Sequence, residues 1–102
     1  MAFQQWLSVD VKERIKSGSP LQIIDVREPY EFDNGHIPGA KLIPLGQLQA
    51  RLEEIDKTPE TVIVCHSGGR SSVACDFLDR IGFGNVRNLM GGMSAWDGQV
   101  EY

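Results

Sequence analysis

The sequence predicts an α/β domain built on a mainly parallel sheet. Three observations lead there. Short β-branched segments alternate with stretches of helical spacing. The segments Leu21–Val26 and Thr61–Cys65 are largely apolar, as strands buried on both faces of a parallel sheet must be. The chain has 102 residues, enough for one domain with a single hydrophobic core, so residues 1–102 are expected to form one unit.

The elements follow in order. Leu7, Val11 and Ile15 recur at helical spacing after Ser8, which is expected to cap a first helix, and Gly18-Ser19-Pro20 stops it. Leu21–Val26 is the first strand, and its end delivers Asp25 and Arg27 to a loop. The stretch from Glu28 to Ala40 holds two prolines and two glycines and reads as turns, with one helical turn around Pro29 to Phe32. Lys41-Leu42-Ile43 makes a short strand. Leu45, Leu48, Leu52 and Ile55 then follow at three- and four-residue steps, which predicts a helix ended by Thr58-Pro59. Thr61–Cys65 is the next strand. A helix beginning near Ser71 presents Val73, Ala74, Phe77, Leu78 and Ile81 as one apolar face and stops at Gly82. Val86–Leu89 is a last, weak strand. In such a sheet, sites form beyond the carboxyl ends of the strands, where Asp25, Arg27 and Cys65 all fall.

Composition narrows the function. Hydrophobic residues make up 41% and charged residues 24%, the balance of an ordinary globular protein. Ten basic against 14 acidic residues give a net charge of -4, so neither nucleic acid nor an acidic membrane is the expected partner. The apolar runs fall far short of the roughly 20 residues that span a bilayer, and Met1-Ala2-Phe3-Gln4-Gln5 lacks the basic start of a leader. A cytoplasmic setting is expected. Two cysteines do not make a disulfide framework in a chain of this size, and with two histidines they show no paired zinc-ligand spacing. The sequence calls for no metal and no cofactor.

The run Cys65-His66-Ser67-Gly68-Gly69-Arg70-Ser71 joins strand to helix. A thiol at that junction lies where several backbone NH groups converge on one anion. Unpaired NH groups and the helix dipole favour thiolate over thiol, so Cys65 is expected to ionise below the free value of about 8.5. That makes it the candidate nucleophile. The bland alternative is an inert buried thiol, since free cysteine is among the most buried residue types.

Four groups of residues, taken together, resemble the rhodanese family of thiosulfate sulfurtransferases: Asp25-Val26-Arg27-Glu28; Glu31-Phe32 with Gly35-His36-Ile37-Pro38-Gly39-Ala40; the loop Cys65 to Ser71; and Asn88-Leu89 with Gly91-Gly92-Met93 and Ala95-Trp96. They span most of the chain in the family's order. The resemblance implies a rhodanese-like five-stranded parallel sheet flanked by helices on both faces, with Cys65 cycling between thiol and persulfide. Phosphatases related to rhodaneses place five residues between cysteine and arginine. Here His66, Ser67, Gly68 and Gly69 make four, a tighter ring that suits the terminal sulfur of a persulfide rather than a tetrahedral phosphate.

The expected chemistry is therefore sulfur transfer from thiosulfate or a protein persulfide donor to a thiol or cyanide. Cys65 carries the sulfur, and the amides from His66 to Ser71 cradle the anion. Two alternatives stay open: a non-enzymatic sulfur carrier or interaction module loaded by a cysteine desulfurase, and a small phosphatase or arsenate reductase. Arg70 is expected to pair with an anionic donor, with Asp25, or with both. Arg27 is read either as adding to the positive potential of the site or, with slight preference, as a structural partner of Glu28 or Glu31. Ser71 is read as a helix cap more than a ligand of the sulfur, and Ser67 as either. His66 is placed on the solvent side of the loop, free to tune the thiol, touch a donor or do neither. His36 is expected to pin its turn, and Trp96 and Trp6 to pack. Cys75 is placed near the polar side of its helix, more than one turn beyond the loop, too far for a disulfide with Cys65.

Overall fold

A computed structural model describes residues 3–102 of the chain; Met1 and Ala2, which begin the segment read for a leader, lie outside it. The sheet has five strands: β1 (Gln4–Trp6), β2 (Leu21–Asp25), β3 (Lys41–Leu42), β4 (Glu60–Val64) and β5 (Val86–Leu89). They lie in the order β1-β5-β4-β2-β3, and each neighbouring pair is parallel. β4 is central. Cys65, the residue after it, therefore emerges in the middle of the sheet's carboxyl edge.

Alternation along the strands divides the core into two layers. Ile24, Val26, Ile43, Ile63, Cys65 and Val86 point to one face, where they meet Ala74, Cys75 and Leu78 of helix α3 (Gly69–Arg80) together with Leu48, Ile55 and Phe83. Ile23, Val62, Val64 and Leu89 point to the other face, against Val11 of helix α1 (Ser8–Ser17), Trp6 and Ile37. Both faces are covered, which explains why β2 and β4 read as continuous apolar runs.

Several elements differ from the sequence expectation. β1 went unread because it is only three residues long, Gln-Gln-Trp, and buries only Trp6. The cap of α1 is Leu7, whose NH donates to the Asp10 carboxylate at 2.8 Å; Ser8 instead donates to Asp97 Oδ1 at 2.7 Å. Of the expected apolar stripe on α1, only Val11 is buried. The expected helix from Leu45 to Ile55 is two 3₁₀ segments, Leu45–Gln47 and Gln49–Glu54, with Arg51 outside helical geometry. The three-residue steps from Leu45 to Leu48 and from Leu52 to Ile55 suit that tighter period. The largest shift concerns α3. It starts at Gly69, and its buried face is Ser71, Ala74, Cys75 and Leu78, the i, i+3, i+4, i+7 pattern. Val73 is 60% exposed and Ile81 40%, whereas Cys75 is fully buried. The exposed apolar residues Val73 and Ile81 turn the expected face by about a quarter turn from the buried one.

A buried ion pair closes the end of β2. Asp25 and Arg27 are both buried, and the Arg27 guanidinium forks onto the carboxylate through Nε at 2.9 Å and Nη2 at 2.8 Å. Nη1 and Nη2 also donate to the carbonyls of Glu31 at 3.1 Å and Gly35 at 2.9 Å. Arg27 thus ties the strand end to the short helix α2 (Pro29–Asp33) and the turn after it, with Asp25 as its charge partner instead of Glu28 or Glu31. Arg27→Ala leaves a buried carboxylate without its partner, and urea denaturation should show a loss of about 3–5 kcal/mol. A loss below about 1 kcal/mol would mean that this pair does not organise the edge.

Candidate active site

The loop after β4 turns sharply before α3 starts. Gly68, the residue before α3, has φ +110, a left-handed conformation that side-chain-bearing residues rarely adopt. This turn brings the loop back over Cys65. The Gly68 NH donates to Cys65 Sγ at 3.0 Å, and Ser71 Oγ lies 3.2 Å from the same sulfur. The first helical NH groups, from Gly69 onward, have no partner inside α3, and the positive end of its dipole faces the thiol.

The loop carbonyls are held from the opposite side. Met93 NH donates to the Cys65 carbonyl at 2.8 Å, and Ser94 NH to the His66 carbonyl at 2.9 Å. Both belong to the short helix α4 (Gly92–Ala95). Gly92 makes this clasp possible, since a Cβ there would fall 2.4 Å from the Cys65 carbonyl oxygen. With these two carbonyls tied outward, the NH groups of Ser67, Gly68 and Ser71 act on the sulfur.

Opposing forces act on the Cys65 thiol. Burial is the largest, and it pushes the thiol up by penalising the charged form; the residue is 1% exposed. Hydrogen bonding from the Ser71 hydroxyl and the backbone NH groups of Ser71, Gly68 and Ser67 acts the other way, and the net shift is downward. The thiolate thus forms more readily than at a free cysteine, although little water reaches it.

The Cys65 loop lies in a chain whose residues 8–99 match the model of the rhodanese-like domain. The chain belongs to the rhodanese-like family. It is 40% identical over 101 residues to the putative sulfurtransferase YtwF of Bacillus subtilis, covering 99% of this chain and 97% of that one. It is 41% identical over 90 residues to the putative sulfur carrier protein YrkF of the same organism, covering 88% of this chain but 49% of the relative. Among solved structures, a rhodanese-like domain protein from Staphylococcus aureus superposes with a TM-score of 0.90 at 34% identity, over 97% of each chain.

The rhodanese-like loop carries its arginine differently from the sequence expectation. Arg70 pairs with Glu31 and not with Asp25, whose carboxylate is taken by Arg27. The Arg70–Glu31 contact is bidentate, at 2.8 and 2.9 Å, and Glu31 also accepts the Glu28 NH at 2.9 Å. The Arg70 guanidinium holds the Glu31 carboxyl down at about 2, and Glu31 in turn raises Arg70. The residues alone offered Glu31 as a partner of Arg27, and its pairing with Arg70 was not expected. The helical turn expected from Pro29 to Phe32 was the available signal, because it carries residue 31 toward the sheet edge.

Ser71 is not a cap. It is buried inside the first turn of α3, where its hydroxyl meets Cys65, the Gly68 carbonyl and Asn88. His66, Ser67 and Gly69 are exposed along the rim of the loop. His36 stacks on Phe32 with ring centroids 3.6 Å apart, and its Nδ1 lies 2.9 Å from the Phe32 carbonyl, so it braces the α2 turn. Trp96 packs on the second core layer and donates to the Gln99 carbonyl at 2.9 Å. A cleft of about 510 Å³ beside it is lined by Lys12, Ile15, Pro38 and Gln99 and includes no residue of the Cys65 loop. Among the described residues no group of three or more His, Cys, Asp or Glu side chains is placed to hold a metal. No helix of the described residues is long and apolar enough to cross a membrane.

Cys75 shares the apolar layer with Cys65, but burial pushes its thiol up to about 12. The two thiols should therefore part in reactivity. Alkylation by iodoacetamide, followed by peptide mass, should rise with pH through an inflection below about 8.5 at Cys65 and leave Cys75 unmodified at neutral pH. An inflection at Cys65 above that value would show that burial outweighs the loop dipoles.

Proposed function

We propose that this chain is a sulfurtransferase in which Cys65 carries the transferred sulfur. The Cys65 thiolate attacks the outer sulfur of thiosulfate, the S–S bond of the donor breaks, and sulfite leaves with its electron pair. The product is a Cys65 persulfide anion. An acceptor nucleophile, cyanide or a thiolate, then takes the outer sulfur and returns the Cys65 thiolate. Charge and atoms balance in both halves, so no external oxidant or reductant is needed.

One observation carries this reading: a donated NH at 3.0 Å and a hydroxyl at 3.2 Å on a sulfur that faces the start of a helix. Preorganised dipoles of this kind stabilise an anion without reorganising. The relatives named as a sulfurtransferase and a sulfur carrier support the same chemistry. The four-residue spacing to Arg70 favours a persulfide over a phosphate. Donors approach past His66 and Ser67 at the exposed rim, while Arg70, its charge shared with Glu31, braces the loop and leaves a weakened positive field for an anion.

A carrier role is the second reading, favoured by the name of the relative that this chain covers only in part. Incubation with thiosulfate should add one sulfur to Cys65 by intact mass, and Cys65→Ser should add none. Steady thiocyanate production from thiosulfate and cyanide supports the enzyme. Loading only from a protein persulfide donor, without turnover, supports the carrier. A Cys65 that no persulfide donor modifies would reject both.

A further inference from the structure

The hydroxyl of Ser71 has one proton and three neighbours. Its oxygen lies 3.2 Å from Cys65 Sγ and 3.2 Å from the Gly68 carbonyl, and it also hydrogen-bonds Asn88 Oδ1. The Gly68 carbonyl already accepts the Ser72 NH at 3.1 Å, so it does not depend on Ser71. Asn88 is buried, and its Oδ1 accepts from the Ser71 hydroxyl.

The Asn88 amide turns its nitrogen toward the edge strand and its oxygen toward Ser71. Gln5 stands opposite Asn88 in the β1–β5 register, and Gln5 Oε1 accepts from Asn88 Nδ2 at 2.7 Å. With its nitrogen committed outward, Asn88 presents only an acceptor to Ser71. That acceptor draws the hydroxyl proton away from the sulfur. In the thiol form Ser71 then offers Cys65 a lone pair that accepts from S–H, and the thiolate gains the hydroxyl proton only at the expense of Asn88.

We propose that Asn88 is a positioning residue that competes with the sulfur of Cys65 for the Ser71 hydroxyl proton, and that Gln5 fixes the sense of this competition from the edge strand. In the thiol form, Cys65 S–H donates to Ser71 Oγ and Ser71 O–H donates to Asn88. When the S–H proton leaves to solvent, the hydroxyl turns to the sulfur and Asn88 loses its donor. In the persulfide the charge sits on the outer sulfur, Sγ is a weaker acceptor, and the hydroxyl returns to Asn88. The network therefore favours the loaded state over the bare thiolate.

Other titratable and charged groups surround this thiol: Arg70 and Cys75 on α3, His66 in the loop, the Asp25–Arg27 pair at the end of β2, Glu31 on α2, and Arg87 of β5, which faces Cys75. The Ser71 hydroxyl and the Asn88 amide bond to none of these beyond Cys65 itself, so a change at Asn88 leaves their charges in place.

The proposal rests on Cys65 as the working thiolate, and its test is independent of turnover. The pH dependence of Cys65 alkylation by iodoacetamide is measured for wild type, Asn88→Ala, Gln5→Ala, Ser71→Ala and the Asn88→Ala/Ser71→Ala double variant. Asn88→Ala should lower the Cys65 inflection by about one pH unit, and the double variant should titrate like Ser71→Ala. Gln5→Ala, on the exposed edge, frees the Asn88 amide to turn and should lower the inflection in the same sense by less. Should Asn88→Ala not fold, Gln5→Ala decides. An unchanged or raised inflection in the folded variant that decides, or a downward shift of Asn88→Ala that survives in the Ser71→Ala background, overturns the proposal. Absence of loading from thiosulfate and from every other persulfide donor, with these shifts intact, would reject sulfur transfer and leave the competition standing.

Discussion

A sulfur removed from water has to find its stabilisation inside the protein, and the architecture around Cys65 answers that requirement. Burial alone would neutralise the thiol, as it does at Cys75 in the same apolar layer. The difference between the two cysteines lies in the hydrogen bonds that reach Cys65, from the Ser71 hydroxyl and then from backbone NH groups. Cys75 sits within α3, where the NH groups are already spent on the helix, whereas Cys65 sits just before it, where they are not. The central place of β4 puts this junction at the middle of the sheet edge, and the α4 clasp ties the Cys65 and His66 carbonyls outward.

Two arginine–carboxylate pairs divide the support of the loop. Asp25–Arg27 is buried and ties the end of β2 to α2, which fixes where Glu31 stands. Glu31 then grips Arg70 at the start of α3. A buried pair thus positions a half-exposed one, and the second sets the loop's distance from the neighbouring turn. The charge of Arg70 is not free to act alone, because a carboxylate shares it.

Much of this was legible from residue order. The β-branched runs gave β2 and β4, because both faces of those strands are covered and nothing interrupts the apolar pattern. The glycines after Cys65 pointed to the turn that Gly68 makes. Contacts between distant segments were not legible. Glu31 and Arg70 lie 39 residues apart, and Gln5 and Asn88 83, with no periodic signal joining them. Ser71 was misread because serine at a helix start usually caps, and only the tertiary fold shows it turned inward. Cys75 was misplaced because Val73 and Ile81 are apolar and yet exposed, so hydrophobicity overstated how far the buried face reaches around α3. β1 is too short and too polar to carry a pattern.

The most direct measurement is a crystal structure of the protein after exposure to thiosulfate. The account predicts one added sulfur on Cys65 Sγ, beneath the loop and within hydrogen-bond reach of backbone NH groups between His66 and Ser71. Added sulfur pointing away from those NH groups, or carried on Cys75 instead, would contradict it.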